Sequence, residues 1–135
     1  MLRLRRFLQK IRGESGQTLV ELALLLPVLL LLLLGVVEFG RILMTYLMIS
    51  HSSREGARLA AVGGSDSAVV QRVQDQAFLL DPDLLVIDIN PSGSRTRGSS
   101  VTVTLDYDLD IFLPLPPSVV PDPLHLQART TMRVE

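Results

Sequence analysis

The sequence predicts an α+β protein. A long N-terminal hydrophobic helix crosses a membrane and continues into a small extracytoplasmic domain with a second helix and a three-stranded antiparallel sheet. Three observations lead there. No charged or strongly polar side chain occurs from Leu22 to Val37. Apolar residues then recur at steps of three and four through two further stretches, which is helical spacing. Near the C-terminus the pattern changes to strict alternation, which is strand spacing. With 135 residues in all, one small domain is the ceiling.

The chain opens with a basic leader. Residues 1–16 hold Arg3, Arg5, Arg6, Lys10 and Arg12 against Glu14, a net charge of +4. Residues 17–135 hold eight basic and thirteen acidic residues, a net of −5. Basic residues before a membrane segment stay on the cytoplasmic side. The predicted topology is therefore single-pass in the cytoplasmic (inner) membrane, with the N-terminus inside and the C-terminal domain outside. The acidic balance of that domain gives no support for nucleic-acid binding.

The apolar run follows. Leu22 to Val37 corresponds to about 24 Å of helix at ~1.5 Å per residue. Leu19, Val20 and Phe39 bring it close to the roughly 20 residues that a bilayer core of ~30 Å requires. A soluble helix this apolar needs protein on every side, and the remainder of the chain is too short to wrap it. Pro27 interrupts the run. A proline there removes one backbone hydrogen bond and kinks the helix, which surrounding protein and water relieve in membranes. A local melt is the alternative. At the outer end, Glu38 and Arg41 are spaced i,i+3 and mark the membrane boundary. An exposed pair of this kind adds only about 0.3–0.5 kcal/mol.

Beyond the membrane the helical pattern continues to Val62. Ile42, Tyr46, Ile49, Ser53, Ala57 and Ala60 form a stripe whose members become smaller toward its end. The small residues Gly56, Ala57, Ala60 and Ala61 allow close approach, most simply by the chain's own sheet. Gly63 and Gly64 end the helix. A second helix is predicted over Ser67–Leu80, capped by Ser65 or Asp66. Its apolar face holds Val69, Val70, Val73, Ala77 and Leu80, and Asp81-Pro82 ends it. The predicted domain plan is a leader at 1–16, a long helix at 17–62 embedded to about residue 40, and an outer α+β domain at 63–135.

Three strands complete that domain. Leu84–Ile89 is apolar and β-branched. Asn90–Ser100 is a polar turn region. Val101–Phe112 alternates, with Val101, Val103, Leu105, Tyr107, Leu109 and Ile111 on one face and Thr102, Thr104, Asp106, Asp108 and Asp110 on the other. Leu113–Pro123 is too rich in proline for a central strand and forms a loop. Leu124–Val134 alternates again, with Leu124, Leu126, Ala128, Thr130, Met132 and Val134 inward. One sheet face packs on the helices and the other is wet. Pairing of the last two strands would bring Arg129 and Arg133 near Asp106, Asp108 or Asp110. The aspartate row is a poor calcium site, because i,i+2 carboxylates on a strand lack the looped backbone of calcium cages.

Function is read from the leader. A secretory signal places a small-residue cleavage site after its apolar region. None follows here, and the small residues lie before the run, at Gly13–Gly16. A cut after Gly16 removes the leader, keeps the apolar segment and exposes Gln17 as the new N-terminus, with Glu21 as the fifth residue. A carboxylate deep in the bilayer costs about 2.5–3.5 kcal/mol and faces partners. At the membrane edge, near a helix N-terminus, it instead gains about 0.3–1 kcal/mol from the macrodipole. The basic leader ending in Gly16, with Glu21 fifth after it, resembles a class III, prepilin-type signal. Together with the blocks "VEFGR" (Val37–Arg41) and "SSREGARLAA" (Ser52–Ala61) and the closing "LQARTTMRVE" (Leu126–Glu135), it resembles the TadE-like family of minor pseudopilins of tight-adherence (Flp-type) pilus systems. Gln17 departs from the commoner choices at that position, Phe or Met, which fits a minor component.

The resemblance implies processing at Gly16–Gln17 by a prepilin peptidase and a role for Glu21 in assembly or recognition, paired with the α-amine of another subunit. It also implies partners: other pilins and pseudopilins, the inner-membrane pilus assembly platform, and membrane lipid. The alternative is an uncleaved signal-anchored envelope protein whose outer domain binds a ligand or cell-envelope component. No catalytic activity and no cofactor is expected. The chain has no cysteine, and its two histidines, His51 and His125, lie in no nucleophilic, phosphate-binding or metal-binding motif.

Overall fold

The computed structural model describes the backbone of residues 2–113 and 118–135, and the side chains of residues 16–113 and 118–135. The basic side chains of the leader and part of the loop after the second strand lie outside the described residues. Helix α1 spans Leu2–Ala61 and continues through Pro27. Helix α2 spans Asp66–Gln76, and a short 3₁₀ turn covers Pro82–Leu84. Strands β1 (Leu85–Asn90), β2 (Ser100–Leu109) and β3 (Leu124–Arg133) follow. They form one antiparallel sheet in the order β1-β2-β3. The chain divides into two compact units, residues 1–37 and residues 38–135.

In the first unit the described part of the helix makes no core. Leu19 to Val37 expose their apolar side chains, and Gly35 alone is half-buried. The helix is long and apolar enough to cross a membrane, and its most apolar window has no buried residue. A core helix of a soluble protein passes the same length test but is mostly buried. Burial therefore separates the two readings in favour of lipid.

The second unit has a conventional core. Ile49, Ala57 and Ala60 of α1, Val69 and Val73 of α2, and Val101, Val103 and Leu105 of β2 are fully buried. The stripe on α1 differs from expectation in one respect. Tyr46 is 47% exposed, whereas Thr45 and Ser52 are buried. The buried series is Glu38, Ile42, Thr45, Ile49, Ser52, Gly56 and Ala60, with Ile42 half-buried. Steps of three and four fit both 42–46–49 and 42–45–49, so periodicity alone did not separate Tyr46 from Thr45. Ser53 Oγ lies 2.8 Å from Thr130 Oγ1 of β3, which ties helix to sheet.

The helix ends are closed as the glycines and serine suggest. Gly63 has φ +89°. Its N–H donates to Ala60 O and the Gly64 N–H donates to Leu59 O. This is the paired-bond helix stop that a left-handed glycine permits. Ser65 caps α2, its Oγ accepting from the Ala68 N–H at 3.3 Å. Helix α2 stops at Gln76, four residues before the expected end, and Ala77–Leu80 forms turns instead. The Leu80 N–H donates to Ala77 O, which keeps Ala77 and Leu80 in the core without continuing the helix.

Candidate functional site

Three clusters of polar side chains include or adjoin residues singled out in the sequence. The first lies in the apolar unit. Gln17 and Glu21 are one helical turn apart, and Gln17 Nε2 donates to Glu21 Oε1 at 3.1 Å on the exposed surface. A Cβ at Gly16 would meet nothing within 4 Å, and its φ is not in the left-handed region. Packing among the described residues therefore does not require glycine there, although glycine costs a helix interior ~1 kcal/mol relative to alanine. Gly35 and Gly40 are equally open.

The second cluster surrounds the Glu38–Arg41 pair. Arg41 Nη2 lies 2.5 Å from Glu38 Oε1. Glu38 is only 7% exposed, so this is not a solvated surface pair. Its carboxylate also accepts the Phe112 backbone N–H at 3.4 Å. Arg41 donates to the Asp110 carbonyl, and its guanidinium carbon sits 4.3 Å from the centre of the Phe112 ring. One carboxylate and one guanidinium thus hold the chain as it leaves β2. The sequence carried a signal for this: Glu38 falls on the same three-and-four series that forms the core face of α1.

The third cluster is on the wet face of the sheet. The register sets Asp108 opposite His125, Asp106 opposite Gln127, and Thr104 opposite Arg129. The expected arginine–aspartate pairs therefore do not form, since Arg133 lies opposite Ser100. A histidine takes their place. His125 Nδ1 is 2.8 Å from Asp108 Oδ1, and Nε2 is 3.2 Å from Asp106 Oδ1. Gln127 donates to the same Asp106 oxygen at 2.8 Å. Both ring nitrogens face carboxylates, and only the imidazolium offers a donor at each. The hydrogen bond to Asp108 raises the His125 pKa above the ordinary 6.5, the charges of Asp108 and Asp106 add to it, and a loss of hydration opposes it. A raised pKa stabilises the fold at pH below 6.5, and that contribution is lost as pH rises through the folded value. An NMR titration is expected to place the His125 midpoint above 6.5, and Asp108→Asn is expected to move it back down. No group of three or more His, Asp or Glu able to hold a metal ion occurs among the described residues.

Among the described residues one exposed apolar helix is long enough to cross a membrane, which indicates a single-pass membrane anchor; the other unit is a helix-backed three-stranded sheet. Residues 16–58 match the family model described as TadE-like protein. The match covers about a third of the chain. It takes in Gly16, Glu21, the Val37–Arg41 block and most of the Ser52–Ala61 block, and it stops before the sheet. No curated protein and no solved structure gives a significant match.

Proposed function

We propose that this protein is a TadE-like minor pseudopilin, a non-catalytic membrane-anchored component in the assembly of tight-adherence (Flp-type) pili or a related secretion system. The observation that carries the reading is the family match, which begins at Gly16, the residue after which a prepilin peptidase would cut. The open surroundings of Gly16 agree with a glycine kept for an outside enzyme. The N-terminus faces the cytoplasm and the domain faces outward. Partners are the peptidase, other pilins and pseudopilins, the inner-membrane assembly platform and lipid.

Glu21 is the assembly residue in this reading. In the uncut chain its carboxylate accepts from the Gln17 side chain. Cleavage creates an α-amine at Gln17, and the carboxylate of one subunit meets the amine of another. Such a charge-assisted bond contributes roughly 1.5–3 kcal/mol, and 1.4 kcal/mol is a factor of ten. Glu21→Gln is therefore expected to insert normally but to enter pilin complexes about tenfold less or worse, as measured by co-purification. Normal incorporation of that variant would remove the specific role of Glu21.

A further inference from the structure

The sheet leaves both of its outer strands open. β2 pairs with β1 on one side and with β3 on the other, and the order ends there. The β2–β3 register runs unbroken from Ser100 opposite Arg133 to Leu109 opposite Leu124, and no proline lies within β3. Natural edges are blunted by proline, a bulge or a cover, because their outward N–H and C=O groups template another strand. The ladder shows which groups face outward here. The Val134 N–H donates to Ser99 O, on the β2 side. Bonded and non-bonded residues alternate along an antiparallel pair, so Gln127, Arg129 and Thr131 turn their backbone groups away from β2. By the same alternation Thr104 bonds toward Asp88 on β1, and Ile87 and Ile89 turn theirs outward. Among the described residues, no backbone hydrogen bond joins these outward groups to another element.

The side chains select what fits those edges. On the wet face the register sets Asp88 beside Thr104, and Thr104 beside Arg129. Asp88 and Arg129 are both exposed, and neither forms an ion pair with a described residue. Two open edges allow three pairings between copies of the chain. β3 against β3 sets Arg129 opposite or diagonal to another arginine, and β1 against β1 does the same with Asp88. Like charges so placed are destabilising. β3 against β1 sets an arginine beside an aspartate. With the helices of both copies on one face of the sheet, β1-β2-β3 is followed by another β1 through a translation. The meeting strands then run parallel, because β1 and β3 are both antiparallel to β2. Asp88 opposite Arg129 lays Leu85–Asn90 along Leu126–Thr131, wholly within β3. Asp88 opposite Arg133 would run β1 past the end of the strand.

We propose that the outer edge of β3 is a docking site for β1 of a second copy of this chain, in a parallel head-to-tail strand addition held in register by Asp88 and Arg129. The backbone groups match that register. The Arg129 N–H donates to Ile87 O of the second copy, and the Ile89 N–H of that copy donates to Arg129 O, the slanted bonds of a parallel pair. On the other face Ile87 and Ile89, half-buried within one copy, cover an open groove of about 150 Å³ beside β3, lined by Tyr46, Ser50 and Arg54 of α1. A head-to-tail contact leaves one edge free at each end, so it repeats into a row of copies. The proposal rests on the sheet of the 38–135 unit and does not depend on the pseudopilin reading.

The test is disulfide cross-linking, since the chain has no cysteine of its own. A six-residue strand, about 20 Å long, makes a short ladder, so the copies are confined together in phosphatidylcholine vesicles. Val86 and Gln127 are exposed on the wet face, two residues before Asp88 and Arg129, and lie opposite one another in the proposed register. Full chains carrying Val86→Cys and Gln127→Cys are mixed and oxidised. The expected product joins position 86 to position 127 and exceeds both same-site dimers. Asp88→Arg in the first chain is expected to lower its yield about fivefold. Arg129→Asp in the second chain does likewise, and the two together restore it, which also shows that the variants fold. Dominant 86–86 or 127–127 dimers would overturn the head-to-tail contact in favour of a two-fold one. Absence of any disulfide would overturn docking between copies. Single variants that leave the yield unchanged, or losses that the combination does not restore, would overturn the Asp88–Arg129 register.

Discussion

Replacing Arg95 by alanine is expected to lower the stability of the 38–135 unit by about 3 kcal/mol, toward the lower end for breaking a buried ion pair. Arg95 comes from the polar connection between β1 and β2, yet its side chain is only 3% exposed. It pairs with Asp66 at the start of α2, and Nη1 donates to the Gly64 carbonyl at 2.7 Å. Asp66 also accepts the Gly93 N–H at 2.7 Å. One guanidinium therefore links the stop of α1, the start of α2 and the β1–β2 connection. Without it the Gly64 carbonyl loses a donor and Asp66 loses its counter-charge. Asp66 keeps about a third of its side chain in water, which softens the loss. Amide hydrogen exchange of Val101–Leu109 in the detergent-solubilised chain is the appropriate reading. A 3 kcal/mol loss corresponds to roughly 100-fold faster exchange through global opening. Arg95→Lys keeps the charge but not the planar fork and is expected to fall between the two. Unchanged protection in Arg95→Ala would show that the bridge contributes nothing.

Gly56→Leu is expected to be comparably damaging, for a steric reason. A Cβ added at Gly56 would come within 2.7 Å of Val73 Cγ2, with Val69 and Val103 each at 3.5 Å. Val73 and Val103 are fully buried, as is Val69, and a β-branched side chain has little freedom to turn aside. Overpacking of this kind costs about 1–3 kcal/mol, occasionally more. Gly56→Ala recovers ~1 kcal/mol of helix propensity, so its net effect is a loss of up to about 2 kcal/mol. Leucine adds three more carbons to the same contact and is expected to exceed that by at least another ~1 kcal/mol. Gly40→Ala supplies the control. Nothing lies within 4 Å of a Cβ there, so only the favourable helix term applies. Thermal unfolding that ranks Gly40→Ala above the native chain and Gly56→Leu well below it would establish the close approach. Equal behaviour of the two sites would deny it.

These two residues show what the sequence made legible. The faces of β2 and β3 follow directly from alternation, because a strand repeats every two residues, and their inward residues are those expected except Ile111, which lies beyond the end of β2 at Leu109. The small-residue end of α1 announced a close approach, which the structure assigns to α2 and the sheet together. Register was another matter. Alternation says which face Asp106 and Asp108 occupy but not what stands opposite. The pairing is fixed where the strands begin and end, and that brought His125 and Gln127 into place where arginines were expected. Arg95 sat among turn residues with no periodicity to reveal its burial. Glu38 was hidden by its own charge: an acid beside an apolar run reads as a boundary mark, and only its spacing from Ile42, Thr45 and Ile49 shows that it faces inward.

The assembly reading depends on a leader being removed while the apolar helix is kept. Intact-mass and N-terminal analysis of the chain, extracted by detergent from the membranes of a cell with an active prepilin peptidase, tests this most directly. The account predicts a membrane-bound polypeptide that begins at Gln17 and has lost residues 1–16. A chain that keeps its first sixteen residues there, or that leaves the membrane without detergent, would contradict it.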